Sequence, residues 1–476
     1  MAKRRRLKKT VARKVRLIVI AFFFILSCVL YNRVFLMNIV PTKYLKLLLL
    51  GLLLINFVAI FLFMFRSKIC KLVGFLLYVL LFTICTVGIR YSNITLRFLN
   101  KAFQTKREIV IYDVVVPIDS HYNEIKDLDN KTMGILSMDS NDYVDSIKKE
   151  ISITTESYDL FTFYNSFISN NVESAVINHS YLELLDQEYP DFKDTYKSIY
   201  TFDIELESER VEKEVKSLRP ITIYITGLDS RSGKIESIGL SDVNMLVTIN
   251  PHTNTILLTG IPRDYYVQLH GTTGLKDKLT HAGTLGVNMS KTTVEDLFNI
   301  KIDYSVKVGF NSLIDIVDLI GGIDIESDTD FWSFHYDGWH VRKGINHMDG
   351  EHALAYARER YAYSDGDEHR VRNQQQVFTA VFNKIVKDKK MLIKYDILLD
   401  ELSDLYSTDI PKSYVTLLIK QQLNDFKSWD ITTQSVTGEI KTAECYSLPG
   451  KPLVVLEPDM KSVETAKSKI EEVLNK

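Results

Sequence analysis

The chain has 476 residues, 46% of them hydrophobic, and a formal net charge of −2, which together exclude a disordered polyelectrolyte and a uniformly basic nucleic-acid binder. The total hides an asymmetry. Residues 1–107 contain no Asp or Glu and hold 20 of the 58 Lys and Arg, so residues 108–476 set 38 basic side chains against 60 acidic ones, a net of −22.

Three apolar runs occupy the acid-free part, at about 17–36, 45–65 and 69–89. Each approaches the ~20 residues that cross a bilayer as a helix. The first is interrupted by Asn32 and Arg33, and a signal peptide competes with a span there, but no small-residue cleavage site follows it. The basic segment 1–16 precedes the first run, and Arg66, Lys68 and Lys71 lie between the second and third. The positive-inside rule puts both on the cytoplasmic side. The reading is a multi-pass plasma-membrane protein whose chain beyond about residue 90 is extracytoplasmic. The basic N-terminus then faces membrane lipids, and no nucleic-acid partner is expected. Cys445 is the one cysteine beyond the apolar runs, so that part holds no internal disulfide.

Residues 90–107 are basic and polar and read as a linker. Residues 108–215 read as a small mixed α+β accessory domain, with a strand at 109–116, turn and strand character at 127–138, and helices at 143–150 and 181–189. A charged helix at 205–219 marks the boundary to a second domain, 216–476. There, strands at 221–225, 243–249, 255–259, 304–308 and 323–325 alternate with helices at 292–298, 310–320 and 370–385. Gly321-Gly322 caps the second of these helices. The alternation predicts an α/β sandwich with helices on both faces of a sheet. The fold class is α/β, preceded by three transmembrane helices and the accessory domain.

The chemistry-bearing residues sit where strands end, the usual ligand position in open α/β sheets. They are Asp229 in Gly227-Leu228-Asp229-Ser230-Arg231, Asp242 in Ser241-Asp242-Val243-Asn244, Arg263 in Pro262-Arg263-Asp264, and a dense run from Arg358 to Gln374. Arg358 and Arg360 share a face if extended, and Arg370 and Gln374 share a face if helical. A bend at Asp365-Gly366-Asp367 folds the second pair over the first. Guanidiniums and an amide aimed at one point suit a pyrophosphate. Asp229 and Asp242 add a carboxylate pair for a metal such as Mg²⁺, with Mn²⁺ an alternative. The same run also suits a solvated helix start in which Glu359 and Asp367 neutralise their neighbours. His335, His340, His347 and His352 lack the i, i+4 spacing of a zinc site and read as loop and surface residues. His281 reads as a structural hydrogen-bonder.

Seven motifs in order resemble the LytR-CpsA-Psr family. Besides Ile225-Thr226-Gly227-Leu228-Asp229, Ser241-Asp242-Val243-Asn244 and Ile261-Pro262-Arg263-Asp264, they include Lys278-Leu279-Thr280-His281-Ala282 and Asp318-Leu319-Ile320-Gly321-Gly322-Ile323. Ala357-Arg358-Glu359-Arg360 and the run from Arg370 to Gln375 complete the set. Three apolar runs and an extra domain resemble its capsule-type members, called CpsA or Wzg. The resemblance implies an α-β-α sandwich with a mixed central sheet over 216–476 and an accessory domain like a DNA-polymerase processivity factor in fold alone. It implies a Mg²⁺-assisted phosphotransferase that moves a glycopolymer, capsular polysaccharide here, from a polyprenyl-pyrophosphate carrier to a peptidoglycan hydroxyl. Polyprenyl phosphate is released, pyrophosphatase activity is a possible side reaction, and other capsule-assembly proteins are expected partners. Asp242 would bind the metal and Asp229 would support the metal or the attacking hydroxyl. Arg263, Arg358, Arg360, Arg370 and Gln374 would hold the pyrophosphate, and an apolar tunnel the lipid tail.

One position departs from the pattern. The family often has arginine two residues before the second-motif aspartate, where this chain has Leu240. Arg231 in the preceding loop is the substitute the sequence offers. The departure gives weight to an alternative, a non-catalytic assembly or chain-length factor that binds lipid-linked polymer. A membrane-bound transcriptional regulator is a second alternative, but only about sixteen residues precede the first span.

Overall fold

The structure, a computed structural model, describes residues 2–65, 67–103, 108–137, 142–206, 214–228, 238–387 and 405–476. The acid-free part forms three helices, α1 (Ala2–Met37), α2 (Thr42–Met64) and α3 (Lys68–Ala102). Each contains a stretch long and apolar enough to cross a membrane. Their outer faces carry exposed Phe57, Ile69 and Phe75, while Ala59, Leu81 and Cys85 pack between the helices. Asn56, the polar interruption in the second run, is buried and donates to Ser27 Oγ at 2.9 Å and Leu52 O at 2.8 Å. Its NH₂ is thereby satisfied in the apolar bundle, while its Oδ1 is buried without a hydrogen-bond partner.

The linker expected at 90–107 is corrected in part. Residues 90–102 continue α3, with 104–107 outside the described residues. Ser92, Thr95, Leu99 and Ala102 are buried at three- and four-residue spacing, which makes one packed helical stripe.

The accessory part is a five-stranded sheet of β1 (Glu108–Pro117), β2 (Lys131–Leu136), β3 (Ile153–Tyr158), β4 (Ala175–Asn178) and β5 (Tyr196–Leu206), in the order β3-β2-β4-β1-β5. The helix expected at 205–219 is a second correction. Glu205 and Leu206 complete β5, opposite Ile109 and Glu108, and the described residues 214–219 are not helical. Pairing with β1 overrides the local charge pattern, which a propensity argument cannot see.

The second domain is built on β6 (Ile221–Leu228), β7 (Ser241–Asn250), β8 (Thr255–Ile261), β9 (Tyr304–Gly309), β10 (Tyr406–Thr408) and β11 (Asp430–Ser435). Their order is β10-β9-β6-β7-β8-β11. The sheet is mixed: β9 runs parallel to β6 and β11 to β8, while the other neighbours are antiparallel. Side chains alternate across it as the pleat requires. Tyr224 and Leu246 pack under α4 (Val287–Phe298), while Ile223, Met245 and Val247 pack on the other face. That second face carries α5 (Phe310–Leu319), α6 (Gly350–Arg358), α7 (Asp367–Lys387) and α8 (Lys412–Asp425), and α9 (Met460–Asn475) joins α4. The strand expected at 323–325 forms as Ile323–Ser327, but it pairs with Gly344–Met348 in a separate ribbon.

The two folded domains share a core. Leu240, Cys445, Leu448 and Leu453 of the second domain pack in one cluster with Val115 and Phe163 of the first. The buried apolar surface fixes the accessory domain against the sandwich.

Candidate active site

The site forms where β7 begins, β8 ends and α7 crosses the sheet. Gly260 permits the crossing: a Cβ there would lie 2.1 Å from Val371 Cγ1. The close approach sets the register of the α7 run by helical spacing. Val371 and Gln375 face the sheet, with Gln375 Nε2 donating to Gln434 O at 2.6 Å. Asn373 and Gln376 bind the neighbouring helix, at 3.1 Å to Tyr356 O and 2.7 Å from Tyr356 OH. Arg370 and Gln374 are left on the face that lines a cavity.

Asp242, second residue of β7, is buried between two arginines. Arg263 Nη1 donates to its Oδ1 at 2.6 Å and Arg370 Nη2 to its Oδ2 at 2.9 Å. Burial opposes ionisation of Asp242, but the charges of Arg263, Arg370 and Arg358 outweigh it and hold the pKa at about 2. Burial likewise opposes the charge of Arg263, and Asp242, Asp264 and Asp367 overcome it, raising its pKa above the ordinary arginine value. The Lys278–Ala282 segment braces this arginine. Thr280 N–H donates to Arg263 O at 2.8 Å, and Lys278 Nζ bridges Asp264 at 3.7 Å and Glu188 of the accessory domain at 2.8 Å.

Asp367 opens α7 beside this pair. Both its carboxylate oxygens are buried without a hydrogen-bond partner, as are Nε of Arg263 and Nε of Arg370. Burial, with the Asp264 charge, pushes the Asp367 pKa up despite Arg370 at 3.7 Å. Unsatisfied buried groups of both signs around one point suit a ligand that brings both, an anion with a cation. Hard carboxylate oxygens suit Mg²⁺, which takes one or two of them and leaves room for phosphate and water. Asp367 therefore fits as a metal ligand beside Asp242, whose own oxygens are engaged by arginines. From its sequence position Asp367 is expected only to neutralise its neighbours. The signal for it was its place three residues before Arg370 on one helix.

The other expected residues are placed as follows. Arg358 ends α6, lines the cavity with Arg370 and Gln374, and lies over the Phe310 ring at 4.9 Å. Arg360 lies over the Tyr361 ring at 4.7 Å, and its charge partly opposes the upward shift of Asp367. The extended pairing of Arg358 with Arg360 is corrected: Asp349 caps a helix that runs through Arg358. Between them, Glu359 is fully buried and accepts N–H bonds from Phe334, Arg360, Tyr361 and Ala362 at 2.8–3.3 Å. Asp229 and Arg231 lie outside the described residues. Leu240 is 4% exposed, in the core shared with the accessory domain.

His340, His347 and His352 each pair with a different carboxylate, Asp330, Asp324 and Asp349. His335 departs from the surface reading. Its Nε2 is buried without a partner, and burial with the Arg358 and Arg370 charges lowers its pKa. His281 Nδ1 lies 2.7 Å from Asp277 Oδ1 and 2.8 Å from Ser447 Oγ, in the interdomain core beside Cys445.

The cavity holds about 450 Å³ and is apolar but for its arginine end. It runs across the strands, over Val243 of β7, Ile225 of β6 and Val308 of β9, towards Tyr406 on the edge strand β10. Such a lining has the chemistry to take an amphiphile, with an anionic head at the arginines and hydrocarbon along the sheet.

Residues 188–469 match the profile of the LytR_cpsA_psr family. The chain belongs to the LytR-CpsA-Psr family. It is 32% identical over 244 residues to a polyisoprenyl-teichoic acid–peptidoglycan teichoic acid transferase, TagU, of Bacillus anthracis, covering 51% of this chain and 73% of that protein. It is 37% identical over 180 residues to TagU of Bacillus subtilis, covering 37% of this chain and 56% of that one. The crystal structure of Bacillus subtilis TagV is 30% identical, with a TM-score of 0.45, over 54% of this chain and 98% of that one.

Proposed function

We propose that this chain is a phosphotransferase that moves a glycopolymer, with one phosphate, from a polyprenyl-pyrophosphate carrier to a peptidoglycan hydroxyl. The observation that carries this reading is the buried Arg263–Asp242–Arg370 array, whose Nε groups make no hydrogen bond, at the polar end of an apolar cavity. The relatives named as teichoic acid transferases support it. The polymer is capsular polysaccharide on this reading, because the three N-terminal helices resemble capsule-type members.

The acceptor oxygen attacks the phosphorus next to the polymer, and the bond from that phosphorus to the bridging oxygen breaks. Polyprenyl phosphate leaves, and the hydroxyl proton passes to solvent. Arg263 and Arg370 stabilise the charge that moves to the leaving phosphate, while Arg358, Arg360 and Gln374 orient the pyrophosphate. Asp242 holds both arginines in place before the substrate arrives. Asp242 and Asp367, with Asp229 as a further donor, would hold Mg²⁺ or Mn²⁺, which when bound neutralises pyrophosphate charge. Helices α1–α3 span the plasma membrane and leave both folded domains extracytoplasmic, which keeps the site beside a lipid substrate.

The test is turnover of polyprenyl-pyrophosphate-linked capsule or teichoic acid polymer by the full chain in detergent, with peptidoglycan, with and without Mg²⁺, beside Arg263→Ala. Release of polyprenyl phosphate that needs Mg²⁺ and Arg263 is expected. Binding of the carrier without release in every condition would sink the transferase reading in favour of an assembly factor. A reporter fused after Lys476 is expected to be active outside the cell, and cytoplasmic activity would overturn the orientation.

A further inference from the structure

The cavity wall is not made by the sandwich alone. At the end away from the arginines it is lined by Tyr406 and Ile410 around the edge strand, Val415 of α8, and Phe103. Phe103 belongs to the anchor: it is the C-cap residue directly after α3 and is 9% exposed. It sits in an apolar cluster with Met37 at the end of α1, Ile39, Leu99 and Ala102, against which Tyr406, Val415 and Ile419 pack.

Polar contacts hold the same seam. Lys412 Nζ on α8 donates to Asn100 Oδ1 at 2.7 Å, Lys420 Nζ to Asn38 Oδ1 at 3.3 Å, and Lys43 Nζ to Asn424 O at 2.7 Å. The bonds reach α8 from α2, from α3 and from the α1–α2 turn. They set the cavity's end on the anchor.

The apolar belt of the anchor reaches almost to this seam. Phe35 and Leu36 of α1 are 57% and 53% exposed, one turn or less from Met37, which packs at the level of Leu99. Phe103 is four residues past Leu99, about 6 Å of helical rise. Among the described residues, a hydrocarbon chain leaving the bilayer beside α1 and α3 therefore has exposed Phe35 and Leu36 at the belt and, a short rise beyond, Phe103 at the cavity wall. Every CH₂ left in water is unfavourable, so a long tail enters where the cavity wall lies nearest the apolar belt.

We propose that the end of α3, at Phe103, is part of the lipid site, and that the isoprenoid tail of the membrane carrier enters the cavity over this residue. The inference rests on the transferase reading for the identity of the lipid, and it adds that the anchor helps to bind substrate as well as tethering the domain.

The experiment uses the full chain in lipid nanodiscs with p-benzoylphenylalanine in place of Phe103. Irradiation with a labelled full-length polyprenyl pyrophosphate is expected to give a protein adduct that excess unlabelled carrier abolishes. The same photoprobe in place of exposed Phe75, on the outer face of α3, gives the uncompeted background. An absent adduct at position 103, or one that competitor leaves at the Phe75 level, overturns the inference. Kinetics give a second reading. In Phe103→Asp the ratio of kcat/KM for the full-length carrier to that for a geranyl analogue is expected to fall at least about tenfold, with Phe103→Leu restoring it. An unchanged ratio also overturns the inference. A wild-type chain that turns over neither carrier would sink the transferase reading instead, while the cross-link still decides the lipid path.

Discussion

Arg370 reaches Asp242 across 128 positions of sequence, its Nη2 donating to the carboxylate at 2.9 Å and to the backbone carbonyl at 3.3 Å. With Arg263 on the other oxygen, one carboxylate fixes guanidiniums from a strand end and a helix. Its removal strands two buried cations. Asp242→Ala is expected to lose about 3–5 kcal/mol of stability as well as activity, so the variant cannot be used as a fold-neutral probe of metal binding. Arg263→Ala is expected to lower turnover about 10²–10³-fold. Urea midpoints and polyprenyl phosphate release check the pair; wild-type stability in Asp242→Ala would show that the ion pairs do not hold the site.

The two acids of the site respond to pH with opposite sign. Asp242 has its pKa depressed to about 2 from 3.8, so its ion pairs add stability that is full above pH 4 or so and is lost as pH falls through the depressed value. Its share is on the order of 2 kcal/mol. Asp367 has a raised pKa, so its charged form burdens the metal-free fold at neutral pH and protonation relieves it. In chelator, Asp367→Asn is expected to be more stable than wild type near neutral pH, with the advantage vanishing by about pH 3. Denaturation midpoints across that range measure it. An equal advantage at every pH would remove the titration of Asp367 as its cause.

What could be read from sequence was local, and what could not depended on distant partners. Arg370 and Gln374 share a face because four residues make about one helical turn, and no tertiary knowledge is needed for that. Asn373 and Gln376 bind Tyr356 and Gln375 binds the backbone at Gln434, so their structural roles were invisible in the polar run that contains them. Arg358 ends a helix capped nine residues upstream by Asp349, which accepts from His352 N–H, a cap that an extended strand through Arg358 does not have. Glu205 looked helical by charge and is a strand residue because Ile109 pairs with it.

Leu240 is the clearest such case. As a departure from a motif it suggested a lost phosphate contact, yet its side chain fills the core between the two domains. Leu240→Arg would bury a guanidinium among apolar residues. The expected outcome is a loss of several kcal/mol and looser docking of the accessory domain, with no gain in turnover. Melting temperature, limited proteolysis and kcat/KM decide it. Higher turnover at an unchanged melting temperature would show that arginine can reach the phosphates from this position.

Glu359 organises the arginine turn without facing the cavity. One carboxylate oxygen accepts N–H groups from Arg360 and Tyr361 at 3.0 Å and from Ala362 at 3.3 Å, and the other accepts from Phe334 at 2.8 Å. The bonds tie the turn after α6 to the aromatic hairpin that carries Trp332 and Phe334. Glu359→Gln preserves the shape but must point an NH₂ at one set of donors, so one side of the tie is broken. A donor facing a donor in a buried site costs about 1–3 kcal/mol. The variant is expected to lose that much stability, to speed amide exchange either at Phe334 or at 360–362, and to lower kcat/KM because Arg358 and Arg360 flank the loosened residue. Glu359→Ala would break both sides and cost more. Amide exchange separates positioning from a general loss of fold: protection that falls in the turn or the hairpin, with the β6–β8 amides unchanged, is the expected pattern. Wild-type exchange and wild-type kcat/KM in Glu359→Gln would show that the arginine turn stands without its buried carboxylate.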